Sequence, residues 1–281
     1  MSQGLPGPGD DLADRAAKVV RAETQLSPSV ALVLGSGLGP ALGPSVEEVA
    51  GFAYTDLPGF PGTAVPGHAG RLTLGHLAGV PVAVFSGRFH LYEGHSPDVP
   101  ALLPRLGHAL GARTLIVTAA VGALTAGLVG GTIVILSDHL NLMGTTPLRG
   151  WRTPDGTPAF VNAQAVYDPD LRALALARAA ELGIAAVPAV YAAMAGPAYE
   201  TPAEVAFLAA AGATVVGMSV VPETMVARAL GMRVLGLCSV TNALGEQVSH
   251  EQVVRVSNET AEAVGRLLAD VLPRMEGVTD V

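Results

Sequence analysis

Short apolar runs that stop at glycine or proline read as buried strands, and segments opened by Ser, Thr or Asp read as capped helices. On that pattern a helix covers Asp11 to Glu23, and a strand covers Ser29 to Leu34 and runs straight into Gly35-Ser36-Gly37-Leu38-Gly39. RLTLGHL and VPVAVFS bracket Ala78-Gly79 and predict a hairpin. Between the glycine loop and this hairpin lies PGFPGTAVPGHAG, which carries His68 and reads as a mobile loop rather than a folded element. The uncharged stretch Thr114 to Ser137 spans 24 residues, long enough for a bilayer. Its four glycines, four threonines and central Gly130-Gly131 instead divide it into two buried strands, TLIVT and TIVIL.

Helices and strands then alternate. Ser96-Pro97 predicts a helix reaching Leu110 despite Pro100 and Pro104, and Asp168-Pro169 opens another that ends before Gly183. Thr201-Pro202-Ala203-Glu204 is a capping box with Gly212 as terminator, and Ser249 to Gln252 is a second box that starts a long C-terminal helix. Strands are expected around Val187 to Met194, Thr214 to Met218 and Arg233 to Val240. No internal repeat or composition break interrupts the series. The expectation is an α/β fold in which residues 1–281 form a single domain, a mixed central sheet flanked by helices, with 1–10 and 276–281 as flexible tails.

Composition narrows the function classes. With 50% hydrophobic and 14% charged residues, the chain has apolar surface to spare for burial between subunits, so a homo-oligomer is expected. A net charge of −8 leaves no basic stripe for nucleic acid. Lys18 is the only lysine and lies in the first helix, which disfavours Schiff-base and P-loop chemistry. Cys238 is the only cysteine, so no disulfide framework or thiolate metal cluster exists, and a reducing cytoplasm is the expected location. The first residues, MSQGLPGPGDD, lack the basic and apolar regions of a signal peptide. The seven histidines are scattered without ligand spacing, and no metal is expected.

Chemistry concentrates where strands end. VAVFSGRFHLYEGH breaks at Gly87 and presents Arg88, His90, Tyr92, Glu93 and His95 in quick succession. Arg88 and His90 share a parity, so an extended backbone points both to one side, and a guanidinium beside an imidazole suits an oxyanion such as phosphate. The loop at Gly35 has GxGxG spacing followed by Pro40, Gly43 and Pro44, which disfavour the helix start that a dinucleotide loop needs. Its backbone N–H groups and the Ser36 hydroxyl are candidate anion donors, although a tight turn alone would use the same residues. Tyr199 and Glu200 stand directly before the Thr201 helix, where a flat hydrogen-bonding ligand would suit them. Taken alone they read more simply as a core aromatic and a carboxylate complementing the helix dipole. Ser219 ends the run VVGMS ahead of Pro222-Glu223, Thr241-Asn242 closes the last strand with an amide, and His250 lies inside the second capping box, where it could be no more than a helix-start residue.

Together these fragments resemble the trimeric purine nucleoside phosphorylases. The likeness rests on GSGLG at 35–39, VPGHAGRL at 65–72, SGRFHLYEGH at 86–95, SDHLNL at 137–142, GPAYET at 196–201, VGMSVVPE at 216–223, Thr241-Asn242 and His250, in matching order and spacing over about residues 30–255. The resemblance implies a phosphate site of Ser36, Arg88, His90, the Ala120 backbone and Ser219, closed over by the loop around His68. It implies a base site where Glu200 accepts N1–H of a 6-oxopurine, Asn242 serves N7 and O6, and Tyr199, Val216 and Met218 pack on the ring. Tyr92, Met218 and His250 would hold ribose, with His90, Glu200 and Asn242 carrying catalysis. The implied activity is phosphorolysis of inosine and guanosine in purine salvage by a homotrimer, with inorganic phosphate as co-substrate, no cofactor, and neither nucleic acid nor membrane as partner.

Three positions depart from the family pattern. Ala119 replaces an asparagine and Tyr199 a phenylalanine. Counting back from Phe160 puts Gly156 where the neighbouring subunit lends a phenylalanine to the ribose pocket, with Trp151 as a substitute. Of the competing readings, a methylthioadenosine phosphorylase would want an acid where Asn242 stands, and an NAD-dependent oxidoreductase lacks its helix start. A non-catalytic nucleoside-binding protein has no need for Ser36, Arg88, His90 and Ser219 together.

Overall fold

Two-sided burial makes the apolar runs strands. The computed structural model describes residues 10–35, 37–42, 45–153, 155–246 and 249–277. Helix α1 (Asp10–Glu23) leads to β1 (Val30–Leu34), every residue of which is buried. Alternate β1 side chains enter different cores, Ala31 and Val33 one, Val30, Leu32 and Leu34 the other. Strand β4 (Val80–Ser86) divides likewise, with Ala83 and Phe85 in the first core and Val80, Val82 and Val84 in the second. A strand covered on both faces reads as a continuous apolar run, not an alternation. Ala16 and Val20 of α1, Leu103 and Leu106 of α3 (Leu102–Leu110), and Val221 and Ala227 of α6 (Val221–Ala229) belong to the first core. Leu171 and Ala175 of α4 (Pro169–Glu181) and Leu267 and Leu268 of α7 (His250–Val271) belong to the second.

The other strands are β2 (Glu47–Ala53), β3 (Arg71–Leu77), β5 (Thr114–Ala123), β6 (Ile133–Asn141), β7 (Ala186–Ala193), β8 (Val215–Gly217) and β9 (Arg233–Asn242). One nine-stranded mixed sheet has the order β2-β3-β4-β1-β5-β8-β7-β6-β9, and a further β5–β9 pairing closes its second half into a ring. Because β1 is parallel to β4 and β5, and β5 to β9, the C-terminal ends of these four strands open on one side. That is where open α/β sheets collect ligands. The hairpin β3–β4 turns at Ala78 and Gly79, both at positive φ, as a two-residue type I′ turn demands.

Several expectations need correction. The helix predicted from Ser96 begins only at Leu102. Pro100 disfavours helical backbone at the residue before it, whereas Pro104 is tolerated because it falls within the first turn of α3, where N–H groups lack partners anyway. A one-turn helix α2 (Gly39–Leu42) does follow the glycine loop, with Pro40 in its first turn, where proline is allowed. Edge strand β2 was not anticipated; its charged Glu47 and Glu48 are exposed, as befits an edge. The stretch 58–70 forms no helix or strand, in keeping with the loop reading, and is anchored at a few points. Phe60 and His68 are buried, Tyr54 N–H donates to Gly70 O, and Gly70 N–H donates to Ser86 O. Of the expected tails, Asp10 opens α1 and Glu276-Gly277 fall in a final helical turn, while 1–9 and 278–281 lie outside the described residues. Thr114 to Ser137 supplies β5 and the start of β6, and among the described residues no helix is long and apolar enough to cross a membrane.

Candidate active site

A cavity of about 470 Å³ opens where β1, β4, β5, β8 and β9 end, a size suited to a small organic ligand. Its lining includes one group of Gly35, His68, Arg88, His90 and Ser219 and another of Tyr199, Glu200, Val216, Met218 and Asn242, with Tyr92 and Ala120 among the remaining residues.

The cationic side is built around Arg88. Gly87 at φ 111° lets the chain leave β4 tightly, since a Cβ there would stand 2.8 Å from the Cβ of His68. Arg88 is 1% exposed; Nη1 donates to Ser219 Oγ at 2.9 Å, Nη2 to Val33 O at 3.4 Å, and Nε faces Glu223 Oε1 at 3.4 Å. His68 Nδ1 meets the Arg88 backbone, and its ring stacks on His90, which stacks in turn on Tyr92. Burial, then the neighbouring His90 and Arg88 charges, hold His68 down at about 3, so it is neutral near pH 7. His90 is also lowered, by burial first, against the opposing effect of its hydrogen bond to Glu93. Glu93 Oε1 accepts both the His90 N–H at 2.8 Å and Nδ1–H at 3.1 Å. Burial acts to raise the Glu93 carboxyl, but the hydrogen bonds from His90 and the Ala64 N–H outweigh it and hold the group at about 2. With Nδ1 committed to Glu93, His90 keeps Nε2 for a ligand.

Ser219 owes its position to the backbone around it. Tyr191 OH accepts the Ser219 N–H at 3.1 Å, and Gly217 is required because a Cβ there would lie 2.4 Å from that hydroxyl. The chain then makes a γ-turn centred on Val220, at φ 68° and ψ −56°, closed by Val221 N–H to Ser219 O at 2.7 Å. Positive φ on a β-branched residue is strained, and strain of this kind gathers at functional sites. At β1, Thr118 Oγ1 accepts the Gly35 N–H and donates to Val33 O, which ties the start of the glycine loop to β5.

In the other group, Tyr199 and Glu200 both line the cavity. Glu204, not Glu200, completes the capping box, its Oε2 accepting the Thr201 N–H at 2.8 Å while Thr201 Oγ1 accepts the Glu204 N–H. Glu200 is therefore free of the cap and lines the cavity, where burial first, and the Glu204 charge in addition, raise its carboxyl. Tyr199 is 47% exposed, so it is a cavity-wall residue rather than core. A Cβ on Gly196 would meet Met218 Sδ at 2.4 Å, so glycine there lets the GPAYET loop approach β8. Asn242 is buried at the end of β9, and its Oδ1 accepts from Thr241 Oγ1. Its amide can approach β5 because the facing residue is Gly122.

Ser36 lies outside the described residues, and His250 is placed only as the first residue of α7, whose cap is Ser249 Oγ accepting the Gln252 N–H. Trp151 cannot reach a neighbour: it is 2% exposed, beneath the Arg105 guanidinium. Phe160 is 91% exposed and is the aromatic this segment offers outward. Sequence reasoning missed Glu223, Tyr191 and Thr118 and gave Glu93 no task. Tyr191 and Thr118 carry no signal but burial, which no spacing rule reports, whereas Glu223 and Glu93 lie within the motifs VGMSVVPE and SGRFHLYEGH.

A family model described as the phosphorylase superfamily matches residues 29–273. Purine nucleoside phosphorylase 1 of Bacillus subtilis is 41% identical over 270 residues, covering 95% of this chain and 99% of that protein. Isoform 2 of purine nucleoside phosphorylase from Schistosoma mansoni, solved with cytosine and ribose-1-phosphate, superposes with a TM-score of 0.88 at 32% identity, covering 94% of this chain and 96% of its own. The Schistosoma mansoni purine nucleoside phosphorylase solved with inosine gives 0.86 at 34% identity, covering 96% and 98%.

Proposed function

Given that the chain belongs to the purine nucleoside phosphorylases of the phosphorylase superfamily, we propose that it is selective for 6-oxopurine nucleosides, cleaving inosine and guanosine with inorganic phosphate in purine salvage. The observation that carries this reading is a single cavity lined by Arg88, His90 and Ser219 together with Glu200 and Asn242. Breaking an N-glycosidic bond leaves positive charge on the sugar and sends electrons into the purine. Phosphate held by Arg88, Ser219, His90, Ser36 and the Ala120 backbone supports the first charge and attacks the anomeric carbon. Nε2 of neutral His90, oriented by Glu93 at Nδ1, accepts a hydrogen bond from the remaining P–OH of hydrogen phosphate. The Asn242 amide donates to N7 as that atom gains charge, an interaction that strengthens toward the transition state. Glu200 accepts N1–H of a 6-oxopurine, whereas adenine would turn an unprotonated nitrogen toward the carboxylate. Tyr199, Val216 and Met218 flank the base, Tyr92, Met218 and His250 the ribose, and His68 closes the phosphate end.

Purine release from inosine, guanosine, adenosine and methylthioadenosine, each with and without phosphate, tests this. Release from inosine and guanosine only when phosphate is present is expected. Equal hydrolysis in phosphate-free buffer, or adenosine outpacing inosine, refutes the assignment.

The same reading makes the enzyme a cytoplasmic homotrimer that needs no cofactor or metal, with the partner subunit's Phe160 reaching the ribose pocket. At 91% this ring is the most exposed large hydrophobic side chain among the described residues, which supports the arrangement. Phe160→Ala should raise the nucleoside KM about tenfold, the scale of losing one buried aromatic contact, with phosphate affinity unmoved. A monomer in sedimentation equilibrium, or an unchanged nucleoside KM, removes this part.

A further inference from the structure

Glu223 plays no part in the mechanism above, yet it is 1% exposed and stands against the residue at the centre of the anion side. Neither of its carboxylate oxygens has a hydrogen-bond partner among the described residues, nor has Arg88 Nε. A charge held dry and without hydrogen bonds is costly unless an opposite charge compensates it. Its place in the first turn of α6 favours a negative group, but that preference is served equally well from solvent and does not account for full burial. The γ-turn at Val220 is what brings Ser219 and Glu223, close together in sequence, onto the same guanidinium at two different nitrogens.

We infer that Glu223 is a positioning residue for the anion site: from the Nε side it neutralises and orients the buried Arg88 guanidinium, and so sets how tightly phosphate is held. The inference rests on the phosphate reading proposed above. Arginine does not shed its proton, so a buried guanidinium needs a resident counter-charge between turnovers. With Nε facing Glu223, Nη1 bonded to Ser219 and Nη2 to Val33 O, only the remaining N–H bonds of the fork are left for a ligand. Once phosphate arrives, two anions share one cation. The Glu223 charge then opposes the phosphate dianion, so a site able to grip it irreversibly is held to an affinity from which a sugar phosphate can leave.

Glu223→Gln removes the charge and keeps both shape and an acceptor oxygen. By calorimetry on the intact protein, the dissociation constant for inorganic phosphate should fall about tenfold, the order for one unit charge acting across a few ångströms at a high effective dielectric. The inosine KM should change less than about twofold, and Glu223→Asp, which keeps the charge, should leave phosphate affinity within about threefold of the parent. A packing role alone predicts weaker phosphate binding and a lower Tm in both variants. That result, or an unchanged constant in Glu223→Gln, overturns the inference. If Glu223→Gln does not fold, Arg88→Met is compared with the double variant Arg88→Met/Glu223→Gln. The double must melt higher, because it no longer buries an orphaned carboxylate, and an equal or lower Tm overturns the inference. Loss of the phosphate reading looks different, since Arg88→Ala would then leave phosphate saturation unaltered.

Discussion

Arg88→Ala should lower kcat/KM for phosphate by about 10³-fold, the scale on which removing a preorganised charged donor from a water-excluded site acts. Arg88 is the only fully buried cation among the residues that line the anion side, and its guanidinium already spans Val33 O, Ser219 Oγ and Glu223. His68 and His90 cannot replace it, because burial keeps both imidazoles from charging near neutral pH. The same substitution strips Glu223 of its counter-charge, and breaking one partner from a buried pair costs about 3–5 kcal/mol of stability. The two effects are separable. Initial rates against phosphate concentration report the first and a thermal melt the second, and added guanidinium ion should restore part of the activity. If Arg88→Ala saturates with phosphate as the parent does, the anion site is elsewhere.

What could be read from the sequence followed the physics of local signals. β1 and β4 were legible because both faces are buried, and the caps at Asp168 and Thr201 because a side-chain oxygen followed by proline has few other uses. The Ser96 helix failed for the converse reason: Ser-Pro is a start signal only when the following residues can stay helical, and Pro100 prevents it. The site residues stood out as polar groups interrupting apolar strands. Those supporting them did not. Tyr191 lies within an apolar run, Thr118 resembles any strand threonine, and Glu223 follows a helix-start proline where acids are ordinary. A valine in a γ-turn contradicts its own propensity, so Val220 could be found only in three dimensions. Phe160 stands out by its exposure, which its spacing in the sequence does not report.

Asn242→Asp should move the ratio of kcat/KM for inosine to that for adenosine by about 10³-fold toward adenosine, because the contact at position 6 changes sign for both substrates. In the proposed base site the amide donates to O6 of inosine, whereas a carboxylate repels O6 and accepts instead from the 6-amino group of adenosine; N7 is the same acceptor in both bases and drops out of the ratio. The exchange is isosteric, keeps an oxygen to accept from Thr241 Oγ1, and leaves the close approach to Gly122 undisturbed, so the fold should survive it. Glu200 then decides how complete the switch is. Its ionised carboxylate still penalises the bare N1 of adenine, and Glu200→Gln, which can donate as well as accept, should relieve that penalty and make the double variant the better adenosine enzyme. The parent carries its own check on this logic. Burial raises the Glu200 carboxyl, so on acidification it gains a proton at a pH above the usual carboxylate range, and the protonated form donates to adenine N1. The inosine-to-adenosine ratio of the parent should therefore shrink as pH falls, and that trend should vanish in Glu200→Gln. Selectivity constant with pH in the parent, or unchanged in Asn242→Asp, would place the purine against other residues.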